Sequence, residues 1–319
     1  MHYKNSWAYE KNTRGDITDL IFLEWKYFSF QSEEIDGFVT YVIGNPRNLF
    51  RTGRGMICYG FYYEGEYRKG CFDIPFKKID IGRKKWIFDE NSIKSPSDDR
   101  WILRGKDDDI TWNLEIRNLV SGGSFKYQGD RTLLGQRWVN WDVISNISKT
   151  RGQIRIDGKT LDINCLGYVD TNYGHWETYR NLWKWVQAVV PDYGGLGFSF
   201  FNIQNKNLKR NMSKLFLNIK DKKYDFDDIR FRIKTKGSED IPDKYIVKAF
   251  DKKQNIDLEM LFNIDEYDLI KVKLFRIFSL VDLYLLRGDM ELKIHFKDTG
   301  RKICIDCRAS GEYPKKPLI

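Results

Sequence analysis

Histidine is nearly missing from this chain, with three among 319 residues, and cysteine (five) and proline (seven) are also scarce. No histidines, cysteines and carboxylates recur together at ligand spacing, so neither a metal nor an organic cofactor is expected. Cys304 and Cys307 form the one C-x-x-C. Ile303, Ile305 and Asp306 around them read as strand, which sends the two thiols to opposite faces, and no second pair completes a zinc site. Cys58, Cys71 and Cys165 stand apart, and reduced thiols in a cytosolic protein are the expectation. No apolar run reaches the ~18 residues of a membrane span. The polar start, Met1 to Ser6, has no apolar signal core, so the expected location is cytoplasmic. No serine or cysteine nucleophile lies near His175, which leaves a catalytic triad without support.

What the chain does have is aromatic mass. Aromatics make up 15% of it, ten of them tryptophan, which argues against disorder. A chain of this length accommodates two domains and a large core without staples. The net charge of +9, from 54 basic and 45 acidic residues, permits an anionic partner. The aromatics, however, follow strand alternation and do not cluster with the basic residues, so no nucleic acid is expected as a partner. Residues 206–223 concentrate lysine and arginine between Leu215, Phe216, Leu217 and Ile219. A solvated hairpin is the expected reading, and peripheral contact with a membrane surface is the alternative.

Period-two alternation dominates. Ile229 to Lys234, Ile270 to Leu274 and Leu292 to Lys297 alternate cleanly, and turn signals recur at Asp36-Gly37, Glu64-Gly65, Gly122-Gly123, Asp157-Gly158 and Thr299-Gly300. Strands separated by such turns specify an all-β chain of sandwiches or barrels. Residues 139–148 read as a short helix or crossover, and strand patterning restarts at Ile154. This predicts an N-terminal β-domain over 1–140 and a C-terminal β-domain over 141–319.

One segment concentrates the polar chemistry. Gly167-Tyr168-Val169-Asp170-Thr171-Asn172-Tyr173-Gly174-His175-Trp176 is followed by Trp183-Lys184-Trp185-Val186-Gln187. A few polar groups among aromatic walls suit a pocket for an apolar small molecule. Asp170 is the candidate acid. A carboxyl walled by Tyr168, Tyr173 and tryptophans loses solvation, which favours its proton-donating form. Asn172, on the same strand face, orients a substrate or the acid, and its alternative reading is a turn residue beside Gly174. His175 is a further candidate, as catalyst or as a structural histidine. Trp183, Trp185 and Gln187 share a face; indole faces stabilise developing cations and shape a polyene, or else pack a core. On the strand at Glu24, Trp25 and Tyr27 share one face. Glu24 shares the other with Phe22 and Phe28, and there it needs a partner; a salt bridge at the domain junction is expected, and a second polar group in the cleft is the alternative.

Gly167-Tyr168-x-Asp170-x-Asn172-Tyr173-Gly174 resembles the G-Y-x-D-x-N-W-G segment of carotenoid 1,2-hydratases (hydroxyneurosporene synthases). Trp183-x-Trp185-Val186-Gln187 resembles the W-x-W-V-Q of tocopherol cyclases in the same broad lipocalin-like group. Glu24-Trp25-Lys26-Tyr27-Phe28 is similar to the E-W-W-Y-F that opens these proteins, and Phe38 to Pro46 continues the likeness. The matches run from about residue 20 to about 200; Gly311-Glu312-Tyr313-Pro314 fits more loosely. Fungal lipocalin-like Diels–Alderases share the architecture.

The resemblance implies two consecutive calycin-like β-domains, a hydrophobic ligand and chemistry on an alkene without metal or cofactor. Two positions depart from it: Thr171 stands where the hydratases carry histidine, and Tyr173 where they carry tryptophan. The first departure weakens simple hydration. The reading is therefore a cofactor-independent cyclase of isoprenoid or secondary metabolism. Asp170, Asn172 and His175 are its candidate catalytic residues. Trp25, Tyr27, Tyr168, Tyr173, Trp176, Trp183, Trp185 and Gln187 are its candidate substrate-binding residues. The alternatives are hydration of an alkene, pericyclic closure, and a non-catalytic lipid or isoprenoid carrier.

Overall fold

In the computed structural model the described residues are 22–32, 34–44, 54–82, 84–132, 135–175, 181–192, 195–205, 210–235, 241–275 and 279–314. They are almost entirely strand, in two nearly closed barrel-shaped sheets, the all-β architecture of two consecutive lipocalin-like barrels. Helical structure among them is confined to 3-10 turns, at Phe76–Lys78 and at Asp192. No described helix is long and apolar enough to cross a membrane.

The first sheet contains β1 (Phe22–Gln31), β2 (Ile35–Gly44), β3 (Arg54–Tyr63), β4 (Glu66–Pro75), β5 (Ile79–Gly82), β6 (Lys85–Phe88), β7 (Asn91–Ser97), β8 (Arg100–Asp107), β9 (Ile110–Val120), β10 (Ser124–Thr132), β11 (Gly135–Ile156) and β12 (Lys159–His175). Neighbours run β4-β3-β2-β1-β12-β11-β9-β8-β7-β6-β5, with β10 added to β11. The second contains β13 (Asn181–Val190), β14 (Leu196–Asn205), β15 (Arg210–Ile219), β16 (Lys222–Phe226), β17 (Asp228–Thr235), β18 (Pro242–Asp251), β19 (Ile256–Phe275), β20 (Ser279–Phe296) and β21 (Arg301–Pro314). Its order is β16-β15-β14-β13-β21-β20-β19-β18-β17. Both sheets obey one rule: the first strand pairs antiparallel with the last, β1 with β12 and β13 with β21.

Alternation explains the two cores. In the first unit Phe28, Phe30, Ile154, Ile156, Leu161 and Ile163 point inward around Trp86 and Trp112. In the second, Val186, Ala188, Phe198, Phe200, Leu258 and Met260 do the same. Residues between them, such as Arg155 and Glu259, are exposed, as period-two geometry requires. Glu64-Gly65 and Asp157-Gly158 both carry positive φ, the signature of tight hairpin turns whose twist suits the flanking strands.

Several expectations are corrected. The chain divides at Trp176/Glu177, into 1–176 and 177–319, and not at 140/141. The reason is β11, a 22-residue strand whose whole length pairs within the first sheet, so residues 139–148 are strand and neither helix nor crossover. Register shifts between Val143 and Ser145 and between Ser145 and Ser148 break its alternation, which is what obscured it in the sequence. Cys58 and Cys71 are not isolated thiols: they face each other across β3 and β4 and are joined as a disulfide. Cys165, Cys304 and Cys307 are free, and Cys165 is buried.

Candidate functional site

In the first unit, β12 lies between β1 and β11. Cross-strand pairing aligns Tyr27, Asp170 and Val143 in one rung, and Trp25, Asn172 and Trp141 in the next. Directly paired residues share a face, so these side chains, with Tyr168 and Ser29, lie on the side of the sheet opposite the Phe28–Val169 core. Asp170 is 3% exposed. Among the described residues at least three donors converge on it. The Tyr168 hydroxyl and the Trp141 indole N–H both donate to Oδ2 at 2.9 Å, and the Asn172 amide donates to Oδ1 at 3.4 Å. Tyr27 stacks on Phe38 (centroids 5.4 Å apart) and meets Tyr168 edge-on at 6.4 Å. The β11 register shift falls opposite Asp170 and Val169, where a bulge re-aims side chains. The outcome is a desolvated carboxyl held by three donors beside aromatic rings, with the Asn172 carbonyl oxygen buried and without a partner among the described residues.

The same strands carry a second polar group on their inner face. Lys26 Nζ lies 3.5 Å from Glu24 Oε1, and both side chains are buried. The ammonium sits 4.9 Å from the centre of the Trp86 ring. Burial pulls the Lys26 amine below its usual range, opposed by Glu24 and more weakly by Asp142. One partner of Glu24 is thus two residues away on its own strand, inside the first unit.

In the second unit, Trp183, Trp185 and Gln187 share one face of β13, as their spacing predicts, while Val186 and Ala188 fill the core on the other. Trp185 pairs with Phe201 on β14 and with Glu312 on β21. The Trp183 indole donates to Glu312 Oε2 at 2.9 Å. Glu312 keeps a partly exposed surface. Burial nevertheless pushes its carboxyl up to about 7, against the lowering effect of the Trp183 hydrogen bond. Gly311 lets β21 come close enough for this: a Cβ there would meet the Trp185 carbonyl oxygen at 2.6 Å.

The structure therefore sorts the candidates. Tyr27, Tyr168, Asp170 and Asn172 come together, with Trp25 half-buried beside them on the same face. Tyr173 does not join them; it lies on the inner face, paired with Glu24 and Asn140. Trp183, Trp185 and Gln187 form a group in the second unit. Trp176 and the side chain of His175 lie outside the described residues. Gly174, just before them, has φ of 140°, a conformation open in practice only to glycine. Sequence reasoning missed Trp141 and Glu312. Trp141 hid behind the helical reading of 139–148. The one available signal for Glu312 was a carboxylate between Gly311 and Tyr313, in a strand whose other face is apolar.

No protein-family model and no curated protein sequence matches the chain. Solved structures do match its fold. A candidate AttH from Nitrosomonas europaea has a TM-score of 0.64 at 11% identity, covering 92% of both chains. CghA, solved with Sch210972, has a TM-score of 0.61 at 10% identity, covering 92% of this chain and 88% of its own. Kievitone hydratase from Nectria haematococca has a TM-score of 0.58 at 13% identity, covering 91% and 88%. The likeness is one of fold, and it extends over nearly the whole chain.

Proposed function

We propose that this protein is a cofactor-independent enzyme acting on an alkene-bearing apolar small molecule, by ring closure or by addition of water. Asp170 serves as its proton-donating or orienting carboxyl. The observation that carries this reading is the Asp170 cluster: a desolvated carboxyl, fixed by Tyr168, Trp141 and Asn172, on a face walled by Tyr27 and Phe38. A carboxyl in such surroundings is suited to exchanging a proton with, or polarising, a substrate that water would otherwise solvate. Fold neighbours support the class: kievitone hydratase is a hydratase by name, and CghA was solved with the small molecule Sch210972. Trp183, Trp185 and Gln187 remain candidate substrate-binding residues of the second unit.

The test is genetic and chemical. The gene is deleted and restored as wild type or as Asp170→Asn, and apolar extracts are compared by mass spectrometry. Wild type restores a product that is an isomer of the accumulated precursor for ring closure, or one water heavier for hydration. If Asp170 donates the proton, Asp170→Asn lowers product formation by about 10²–10⁴-fold. If Asp170 only orients, the loss is small and Trp185→Ala costs more. Identical extracts from the deletion and wild-type strains would remove the enzymatic reading.

A further inference from the structure

The first sheet carries an open groove that the Asp170 reading does not use. Its volume is about 500 Å³, and it lies across β8, β9, β11 and β12. Strand register lays out its floor in two rungs. Arg104, Asn113 and Gln153 form one, continued by Asp162, and Lys106, Thr111, Arg155 and Thr160 form the next. Glu90, from the turn before β7, also lines it. These side chains are all exposed and point away from the Trp112–Ile154 core, as alternation requires. At Gly152, next to Gln153, a Cβ would meet the Asn113 carbonyl oxygen at 2.1 Å, so β11 presses on β9 beside the groove.

The acceptors of the groove are taken. Glu90 pairs with Lys106. Asp162 accepts the Gln153 amide at 2.9 Å, and the Asn113 side-chain oxygen accepts Arg104 Nε at 3.3 Å. Asp108 and Asp109, in the turn that follows β8, are not among its walls. What is left over is donors. Arg104 keeps the rest of its guanidinium, and Arg155, Thr111 and Thr160 have no side-chain partner among the described residues. Elsewhere on the same face arginines do meet carboxylates, Arg100 with Glu115 at 2.6 Å and Arg117 with Asp99 at 3.7 Å. The strands that carry Arg104 and Arg155 are about 10 Å apart, with β9 between them. Both side chains can therefore reach one ligand placed over Thr111 and Asn113. A guanidinium fork matches phosphate oxygens bidentately, and threonine hydroxyls can donate to the remaining ones. Trp112, the aromatic at the groove, is 2% exposed and packs in the core. It offers no platform on which nucleic-acid bases could stack.

We propose that this groove binds a phosphate group, clamped by Arg104 and Arg155 and bonded by the Thr111 and Thr160 hydroxyls. A soluble phosphate compound and the phosphate monoester headgroup of a lipid present the same chemistry to it. The site is independent of the Asp170 cluster, none of whose residues lines the groove, so its failure would leave the enzymatic reading untouched.

Two arms separate the sources. Calorimetric titration of the full-length protein with inorganic pyrophosphate reads the soluble one, at an ionic strength of about 0.15 M where distant surface charges are largely screened. Sedimentation with phosphatidylcholine vesicles containing phosphatidic acid, at the same ionic strength, reads the lipid one. The test variant is Arg104→Gln/Arg155→Gln. The control is Arg230→Gln/Arg232→Gln, which removes the same charge from two exposed arginines of β17. Saturable binding is expected in at least one arm, weakened about 10-fold or more by the test variant and unchanged by the control. Thr160→Val, which alters no charge and keeps a β-branched residue in the strand, should weaken it by a smaller factor. Binding of pyrophosphate assigns the groove to a soluble phosphate compound, and binding of the vesicles alone assigns it to a headgroup. Equal weakening by the test variant and the control would reduce the effect to net charge and overturn the site. The absence of saturable binding in both arms would overturn it as well. All these substitutions are at exposed positions, and an unchanged urea midpoint checks that each variant is folded.

Discussion

Asp170 and Glu312 are two carboxyls in comparable places. Each lies on the side of its sheet away from the apolar core, and each accepts an indole N–H at 2.9 Å, from Trp141 and Trp183 respectively. They differ in the rest of their company. Asp170 has two further donors, Tyr168 and Asn172. Glu312 has no further donor among the described residues, and burial pushes its carboxyl up to about 7 against the lowering effect of the Trp183 hydrogen bond. The difference lies in how each carboxyl is held: Asp170 is fixed from several sides by donors, Glu312 from one.

The sharpest way to break this comparison is to remove each carboxyl. Asp170→Leu strands the Tyr168 hydroxyl and the Trp141 indole in a buried setting, at about 1–3 kcal/mol each. Urea denaturation should show a loss of about 2–6 kcal/mol at constant slope. A loss below about 1 kcal/mol, the worth of one ordinary hydrogen bond, would mean that the hub is not formed.

Glu312→Gln should act in the opposite direction and with a pH signature. The folded-state value near 7 is above the ordinary 4.5. On raising the pH, the unfolded chain releases this proton first, so wild-type stability falls between about 4.5 and about 7 and then levels off. The amide has no such penalty. Its stability relative to wild type should therefore climb over that window, by about 1–3 kcal/mol at the plateau. A stability difference that stays flat from pH ~5 to ~8 would show that Glu312 is well solvated.

The smallest effect is expected for Tyr168→Phe, which takes one donor from Asp170 and keeps the ring against Tyr27. A destabilisation of about 0.5–1.5 kcal/mol, the net worth of one hydrogen bond, should appear in the same denaturation experiment. Equal losses in Tyr168→Phe and Asp170→Leu would place nearly all of the hub's stability in that one bond.

Much of this was legible in the sequence. Alternation put Tyr168, Asp170 and Asn172 on one face, Trp183, Trp185 and Gln187 on another, and separated Glu24 from Trp25 and Tyr27; the strand register agrees in each case. The same rule puts Tyr173 on the face opposite Asp170, and grouping it with the acid among the walls overrode the period. Residues 139–148 were misread because two register shifts interrupt the period that reading relied on. The boundary moved with them, since a strand read as a crossover becomes an apparent domain end.

Period two is a local property, set by the pleat of a single strand, so the sequence by itself determined the all-β class and which neighbours along a strand share a face. It could not supply partners across strands. Trp141 reaches Asp170 from 29 positions away, and Trp183 reaches Glu312 from 129. The first contact lies within the β11–β12 hairpin, whose strand character the register shifts concealed. The second exists only because the first strand of its sheet pairs with the last, β13 with β21. That closure is non-local, its register fixed by the burial of a whole face at once, so the partner of Glu312 was left to the tertiary structure.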